Sequence, residues 1–313
     1  MASKAELARL DKLLSDQEKV IRDAVIQFVA TIRSKKLVKA ITDKIKEGDI
    51  GGAISIMDSH IEKIGNAIPQ TIANVGTATA TELGGLVASL PIAVLFDPTH
   101  ARAAALIRRA RLEFISDFTT KQRAATRAAM AIGYQEGLGY QAMARRFVGS
   151  VGLTSYQLGV VENYRNLLAS GSKEALHREL RDRRFDRTLE RGKPLTSEQI
   201  ERMTDRYRDN MIASRADTIA RTEGLAVTSI ARDEAARQLA EQTGVSADKV
   251  ECTWNTTRDE RRREWHATMQ GQKRKLGQPF VDGLGNLLMY PGDQSAPAET
   301  VINCRCVKTY SMS

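Results

Sequence analysis

The chain has 313 residues, 42% hydrophobic but only 5% aromatic, so Ala, Leu, Ile and Val must fill its cores. That balance favours long packed helices over a compact β-sandwich. Lys and Arg outnumber Asp and Glu 47 to 38, for a net charge of +9; the excess suits an anionic partner such as nucleic acid, or else a solvated, Arg-rich helical surface. Three cysteines are too few for a disulfide framework, and the opening MASKAELARLDKLL has no apolar signal core, so the protein reads as soluble and made in a reducing cytoplasm.

Residues 3 to about 34 read as one amphipathic helix. Ser3 and Glu6 have capping-box spacing, and Leu7, Leu10, Leu14, Ile21, Val25, Phe28 and Ile32 recur at helical steps. That stripe either folds back on the following segments or docks another subunit. Shorter helical pieces follow over 35–47 and 51–67, broken at Gly48 and at Gly51–Gly52. From Thr71 to Phe96 the chain is nearly uncharged and rich in Thr, Ala and Gly. Thr79 and Glu82 have the spacing to cap a helix that Gly84, Gly85 and Pro91 would weaken. Its apolar window, Leu83 to Phe96, falls short of the roughly 18–20 residues of a spanning helix. The stretch reads as a buried helix, with a hinge or membrane-active segment as the alternative.

Asp97-Pro98 predicts a helix start, with an N-cap followed by proline at the first helical position. A basic helical run then extends to about Phe147, with its break at Gly137-Leu138-Gly139. Thr154 and Gln157 predict a capped helix to about Leu168. Residues 173–192 are the most charged stretch; the spacings Glu179 to Arg183 and Arg187 to Glu190 predict an exposed, salt-bridged helix. Thr196 and Gln199 open the last long helix, to about Thr243, with a kink near Gly224.

After Gly244 the period changes to that of strands. Val250, Cys252 and Trp254 alternate, Phe280 to Tyr290 reads as two short strands around a glycine turn, and Val301 to Tyr310 reads as a final strand. Thr257 and Glu260 have the spacing to cap a helix on which this sheet would pack. The expected fold is mainly α: an elongated multi-helix body with a small C-terminal α+β module of short strands around one helix. The expected regions are 1–95, 96–243 and 244–313.

On the helix expected from Thr257, Asp259, Arg262 and His266 share one face. The face is either structural, an Asp–Arg pair with a His cap, or part of a zinc site. Cys304 and Cys306 would supply two thiolates beside the imidazole, with Cys252 or Asp259 as the fourth ligand. The C-x-C spacing is tighter than that of most zinc modules, although alternate residues of an extended segment share a face. A zinc-stabilised nucleic-acid-binding module is therefore one functional class. An enzyme using His266 with Cys304 or Cys306, or one built on Arg221-Thr222-Glu223, has less support: His60, His100 and His177 lie near no Cys or Ser motif, and no P-loop, GxSxG, HExxH or GxGxxG occurs. Arg102, Arg108, Arg109, Arg111, Arg123 and Arg127 are candidates for nucleic-acid contact. With no aromatic interleaving and no helix-turn-helix pattern, that contact would be non-specific.

The order of motifs in the tail carries a resemblance. Trp254, Arg258, Asp259, Glu260, Arg261 to Arg263 and His266 are followed by Gly271, Phe280, Tyr290-Pro291-Gly292-Asp293 and Ile302-Asn303-Cys304-Arg305-Cys306. This array resembles the Mu F-like minor head (head morphogenesis) proteins of tailed bacteriophages. Ser214 to Gly224, Leu195 to Ile200 and Gly152 to Gln157 are similar to upstream family segments, so the likeness reaches from about Phe96 to the end. The resemblance implies a structural virion component rather than an enzyme, inside the capsid near the portal, with the host cytoplasm as its place of assembly. It implies several copies per virion, with the portal protein, capsid or scaffolding proteins and packaged double-stranded DNA as partners and no small-molecule substrate. It also implies a role in head assembly and in packaging, retention or ejection of the genome.

Overall fold

A computed structural model describes residues 4–84, 96–192, 194–257 and 262–312. The fold is mainly α, with a small C-terminal α+β module. Helices α1 (Lys4–Ile32), α2 (Lys35–Lys46), α3 (Ile50–Gly65), α4 (Ala67–Gly84), α5 (Ala101–Gln135), α6 (Tyr140–Ser150), α7 (Ser155–Ala169), α8 (Asp186–Glu190) and α9 (Ser197–Thr243) precede the module. Compactness divides the chain into two units, each assembled from separated segments. One comprises Met1–Asp23, Gly65–Phe114 and Thr218–Ser313; the other comprises Ala24–Ile64 and Ile115–Asp217.

Local chemistry accounts for most helix limits. Ser34 caps α2 by accepting from the Leu37 amide. The capping box at Thr154 and Gln157 is present at α7, and Thr196 and Gln199 make the same reciprocal bonds at α9. The run from 101 to 150 breaks between α5 and α6, with Gly137 in the left-handed region.

Three expectations are corrected. Asp97-Pro98 does not start α5: the Asp97 carboxylate accepts from the Thr99 amide and hydroxyl, while Gln238 clamps its backbone N–H and C=O, so the helix begins at Ala101. Thr79 lies buried inside α4 rather than capping a helix. The stretch 173–192 forms short 3₁₀ turns and the one-turn α8 instead of a helix. There Asp182 bonds the Arg184 amide and side chain and Arg181 chelates Asp186, local bonds that compete with the helical ladder. The chain passes Gly224 within the single helix α9, where an added Cβ would make only ordinary contact with Glu18. Of the stretch 71–96, on which the hinge or membrane reading rests, residues 71–84 lie in α4 and residues 85–95 lie outside the described residues. No described helix is long and apolar enough to cross a membrane.

In the second unit, Phe28 meets Phe118 edge-on at 5.6 Å, and the Arg215 guanidinium lies 5.1 Å from the Phe118 ring. Burial pushes the Arg215 guanidinium down to about 10. Gln122, fully buried, bonds the Ser150 carbonyl and the Gly152 amide, which seats the α6–α7 turn.

The first unit carries the module. Strand β1 (Val250–Asn255) lies between β2 (Lys273–Lys275) and β5 (Val307–Met312), antiparallel to both; β3 (Phe280–Val281) pairs with β4 (Leu287–Leu288). Val250, Cys252 and Trp254 face one core with Phe280, Leu288 and Tyr310, against Leu225, Ala236, Leu239 and Ala240 of α9. The sheet therefore packs on α9, not on a helix from Thr257. Of that expected helix, residues 258–261 lie outside the described residues; the Thr256 amide and hydroxyl both bond the Gln270 side-chain oxygen, Arg262 and Arg263 are non-helical, and α10 spans Glu264–Ala267. The final strand also starts later, because Ala298–Val301 forms the single turn α11.

The register of this unit is set by charges buried on α9. Arg232 reaches Glu82 on α4 at 3.0 Å, Asp233 accepts from Lys308 and Tyr310 on β5, and Glu234 accepts from Arg102 on α5 at 2.7 Å. Lys308 and Glu234 are 5% and 2% exposed, so removing one partner strands an uncompensated charge. Asp233→Ala is expected to lower stability by about 3–5 kcal/mol, measured by denaturant melts of the whole chain, whereas replacement of the exposed Asp16 should change it by under about 0.5 kcal/mol.

Candidate functional site

His266, Cys304 and Cys306 converge from two separate stretches. His266 is the third residue of α10, which packs its imidazole inward to 2% exposure. Cys304 and Cys306 lie in the extended lead into β5, where alternation turns both inward and leaves the intervening Arg305 half-buried. A left-handed residue, Asn303 with φ 56°, sets the bend before them. Its amide donates to the Thr222 hydroxyl at 3.2 Å, and its side-chain oxygen accepts from Arg221 at 3.4 Å.

Nδ1 of His266 lies 3.8 Å from Cys304 Sγ and 3.4 Å from Cys306 Sγ, and the three donor atoms lie within 4.8 Å of one another. The hydrogen bond from Cys306, with help from His266, holds the Cys304 thiol well below its ordinary range; that bond and burial raise the Cys306 thiol in return. Nε2 of His266 is buried with no partner among the described residues. Trp254, fully buried, packs 5.1 Å from Phe280 on the core side.

A cavity of about 260 Å³ adjoins His266 and Cys306, and Arg221, Arg262, Arg263 and Arg305 line it with Asn303. No carboxylate is among its described lining residues. Chemically, the cluster can hold a thiophilic cation or keep a thiolate–imidazole pair beside a cationic space.

The other motif residues divide by location. Arg262, Asn303 and Arg305 join His266 and the cysteines at the cavity, whereas Arg258 and Asp259 lie outside the described residues. Cys252 does not join the cluster: it is 1% exposed on the β1 face that pairs with Tyr310, where burial pushes its thiol up to about 11. It is thus corrected as a fourth ligand. Pro291-Gly292-Asp293 forms a turn docked on α9 instead. Ser229 donates to the Pro291 carbonyl at 2.8 Å, Gly292 (φ 82°) brings its backbone against Ala226, and Asp293 accepts from the Met289 and Ser295 amides.

The sequence reading missed Asp233, Lys308 and Tyr310, since a charged triplet in a helix gives no sign of burial. Arg221 and Thr222, read both as part of a catalytic alternative and within the family-like segment Ser214 to Gly224, hold the Asn303 bend.

Residues 162–309 match the family model described as Phage Mu protein F like protein. The chain matches no curated protein and no solved structure. The match contains α9, the His–Cys–Cys cluster, its cavity and the Tyr290 to Asp293 turn.

Because Asn303 sits in the left-handed region, Asn303→Gly should leave the thermal melt nearly unchanged. Asn303→Val should cost about 1–2 kcal/mol, read in the same denaturant assay.

Proposed function

We propose, from the match of residues 162–309 to the model described as Phage Mu protein F like protein, that this chain is a bacteriophage head morphogenesis protein, built into the virion as a structural minor capsid component rather than working as an enzyme. The family match is the observation that carries this reading. Its place is the capsid interior near the portal, where several copies help assemble the head and package, retain or release the genome. The portal protein and capsid or scaffolding proteins are its protein partners.

The charge balance supports a second contact, with packaged DNA. Much of the basic character of α5 is spent internally: Arg102 binds Glu234 and Glu241, Arg109 binds Glu113, Arg123 binds Asp58 and Arg111 reaches Asn66. Arg108 and Arg127 are exposed and make no ion pair among the described residues. These two are the strongest of the six arginines for phosphate contact. Such contact reads charge and not sequence.

Quantitative mass spectrometry of purified virions, before and after triggered DNA release, tests the main reading. A few to tens of copies retained by the emptied head is the expected result; absence from full particles would overturn the assignment. For the DNA contact, Arg108→Glu with Arg127→Glu should weaken duplex binding and flatten its salt dependence by about one unit of log–log slope per lost contact. An unchanged slope removes α5 from the interface.

A further inference from the structure

Three donor atoms from two distant stretches meet in the tail, whatever part the chain plays in the head. We infer that Nδ1 of His266 and the sulfurs of Cys304 and Cys306 bind one structural zinc ion, which staples α10 to the lead into the strand that closes the sheet.

Two thiols and an imidazole are side chains that zinc prefers. With zinc–sulfur and zinc–nitrogen bonds of about 2.3 and 2.0 Å, a tetrahedral site has a nitrogen–sulfur edge of about 3.6 Å. Nδ1 is the nitrogen that faces both sulfurs, at 3.8 and 3.4 Å, and the three atoms lie within 4.8 Å of one another. Hydrogen bonding satisfies such a group only in part. Nδ1 offers one lone pair or one hydrogen, enough for one of the two sulfurs, and a thiol is a weak donor. One cation bound to all three atoms satisfies them together. Each of the three residues is at most 3% exposed, so bulk water does not reach them instead.

Cys252 supplies the contrast within the same core. It is equally buried, but it lies outside the cluster and packs as a small apolar side chain on β1. Cys304 and Cys306 share that core, yet both turn to the one histidine. The left-handed bend at Asn303, held by Arg221 and Thr222, fixes their aim through the backbone, which lowers the ordering cost of binding.

The elements joined are short: α10 is a single turn, β2 has three residues, and β3 and β4 have two each. His266 and Cys304 are 38 residues apart, and the loop that the metal closes contains all of these strands. A clip across a loop of that length removes freedom from the unfolded chain. On binding, the two thiols release their protons to solvent, so zinc with two thiolates and a neutral imidazole carries no net charge, as a buried place requires. With Cys252 elsewhere, two sulfurs and a ring nitrogen define the sphere.

The test uses the full chain, purified under reducing conditions and supplied with zinc or cobalt(II). One metal per chain is expected, with tetrahedral cobalt bands and sulfur-to-metal charge transfer. X-ray absorption of the unmodified zinc form should give two sulfurs at about 2.3 Å and imidazole scattering from about 2.0 Å, so the answer does not depend on a variant folding. Cys304→Ala with Cys306→Ala should lose the metal, while Cys252→Ala should keep one per chain. Stripping the zinc with a chelator should lower the melting temperature, and added zinc should restore it. Metal at background levels, a sulfur count other than two, missing imidazole scattering or a double variant that still holds one metal would overturn the site. A melt unchanged by removal of the metal would overturn its structural role.

Discussion

Three consecutive charges on α9 hold the first unit in register. Successive residues of an α-helix point about 100° apart, so Arg232, Asp233 and Glu234 look out over more than half of the helix circumference. Each finds its counter-charge on a different element: Glu82 on α4, Lys308 on β5 and Arg102 on α5. The surrounding core of α9 is mostly alanine, with Ala231, Ala235, Ala236 and Ala240 all buried. Small apolar faces bury area without specifying where a neighbour stops along the helix, because the hydrophobic effect has no direction. In each pair one partner is buried, so a slip of a single turn would leave a charge without its counter-ion. The alanines let the elements approach, and the charges say where.

The family-bearing part of the chain is organised around the same helix. Arg221 and Thr222 hold the bend that aims Cys304 and Cys306, and Ser229 with Ala226 seats the Pro291-Gly292-Asp293 turn. Separated motifs that look unrelated in sequence are thus successive contacts along less than three turns of α9. Segments from 221 to 306 thus meet on one helix. A tail pinned at several points to one long helix presents a defined surface.

Much of this was legible in the sequence, and the failures share a cause. The capped starts at Thr154 and Thr196, the break at Gly137, the alternation of Val250, Cys252 and Trp254 and the hairpin around Gly285 are local signals, and each appears where expected. The His266, Cys304 and Cys306 grouping was readable from residue chemistry. What misled was local chemistry overridden at a distance. Asp97 and Pro98 have the composition of a helix start, but Gln238, more than a hundred residues away, occupies the Asp97 backbone. Thr257 has capping spacing, but Gln270 holds the preceding residue in an extended path. Burial of the Arg232 to Glu234 triplet was invisible because its partners lie in three other parts of the chain.

The segment map of the two units has a consequence for the order of events during synthesis. All residues of the second unit have been made once Asp217 has been added, so nothing topological delays its closure. The first unit contains residues from both extremes of the chain, and its β5 strand, with Lys308 and Tyr310, is made last. Until then Asp233 has no cation from β5 and the apolar face of β1 lacks half of its ladder. Contacts of such long sequence separation form late and leave sticky surface exposed meanwhile. The second unit can therefore close before the first, and the region from β1 to β5 is the last to become native.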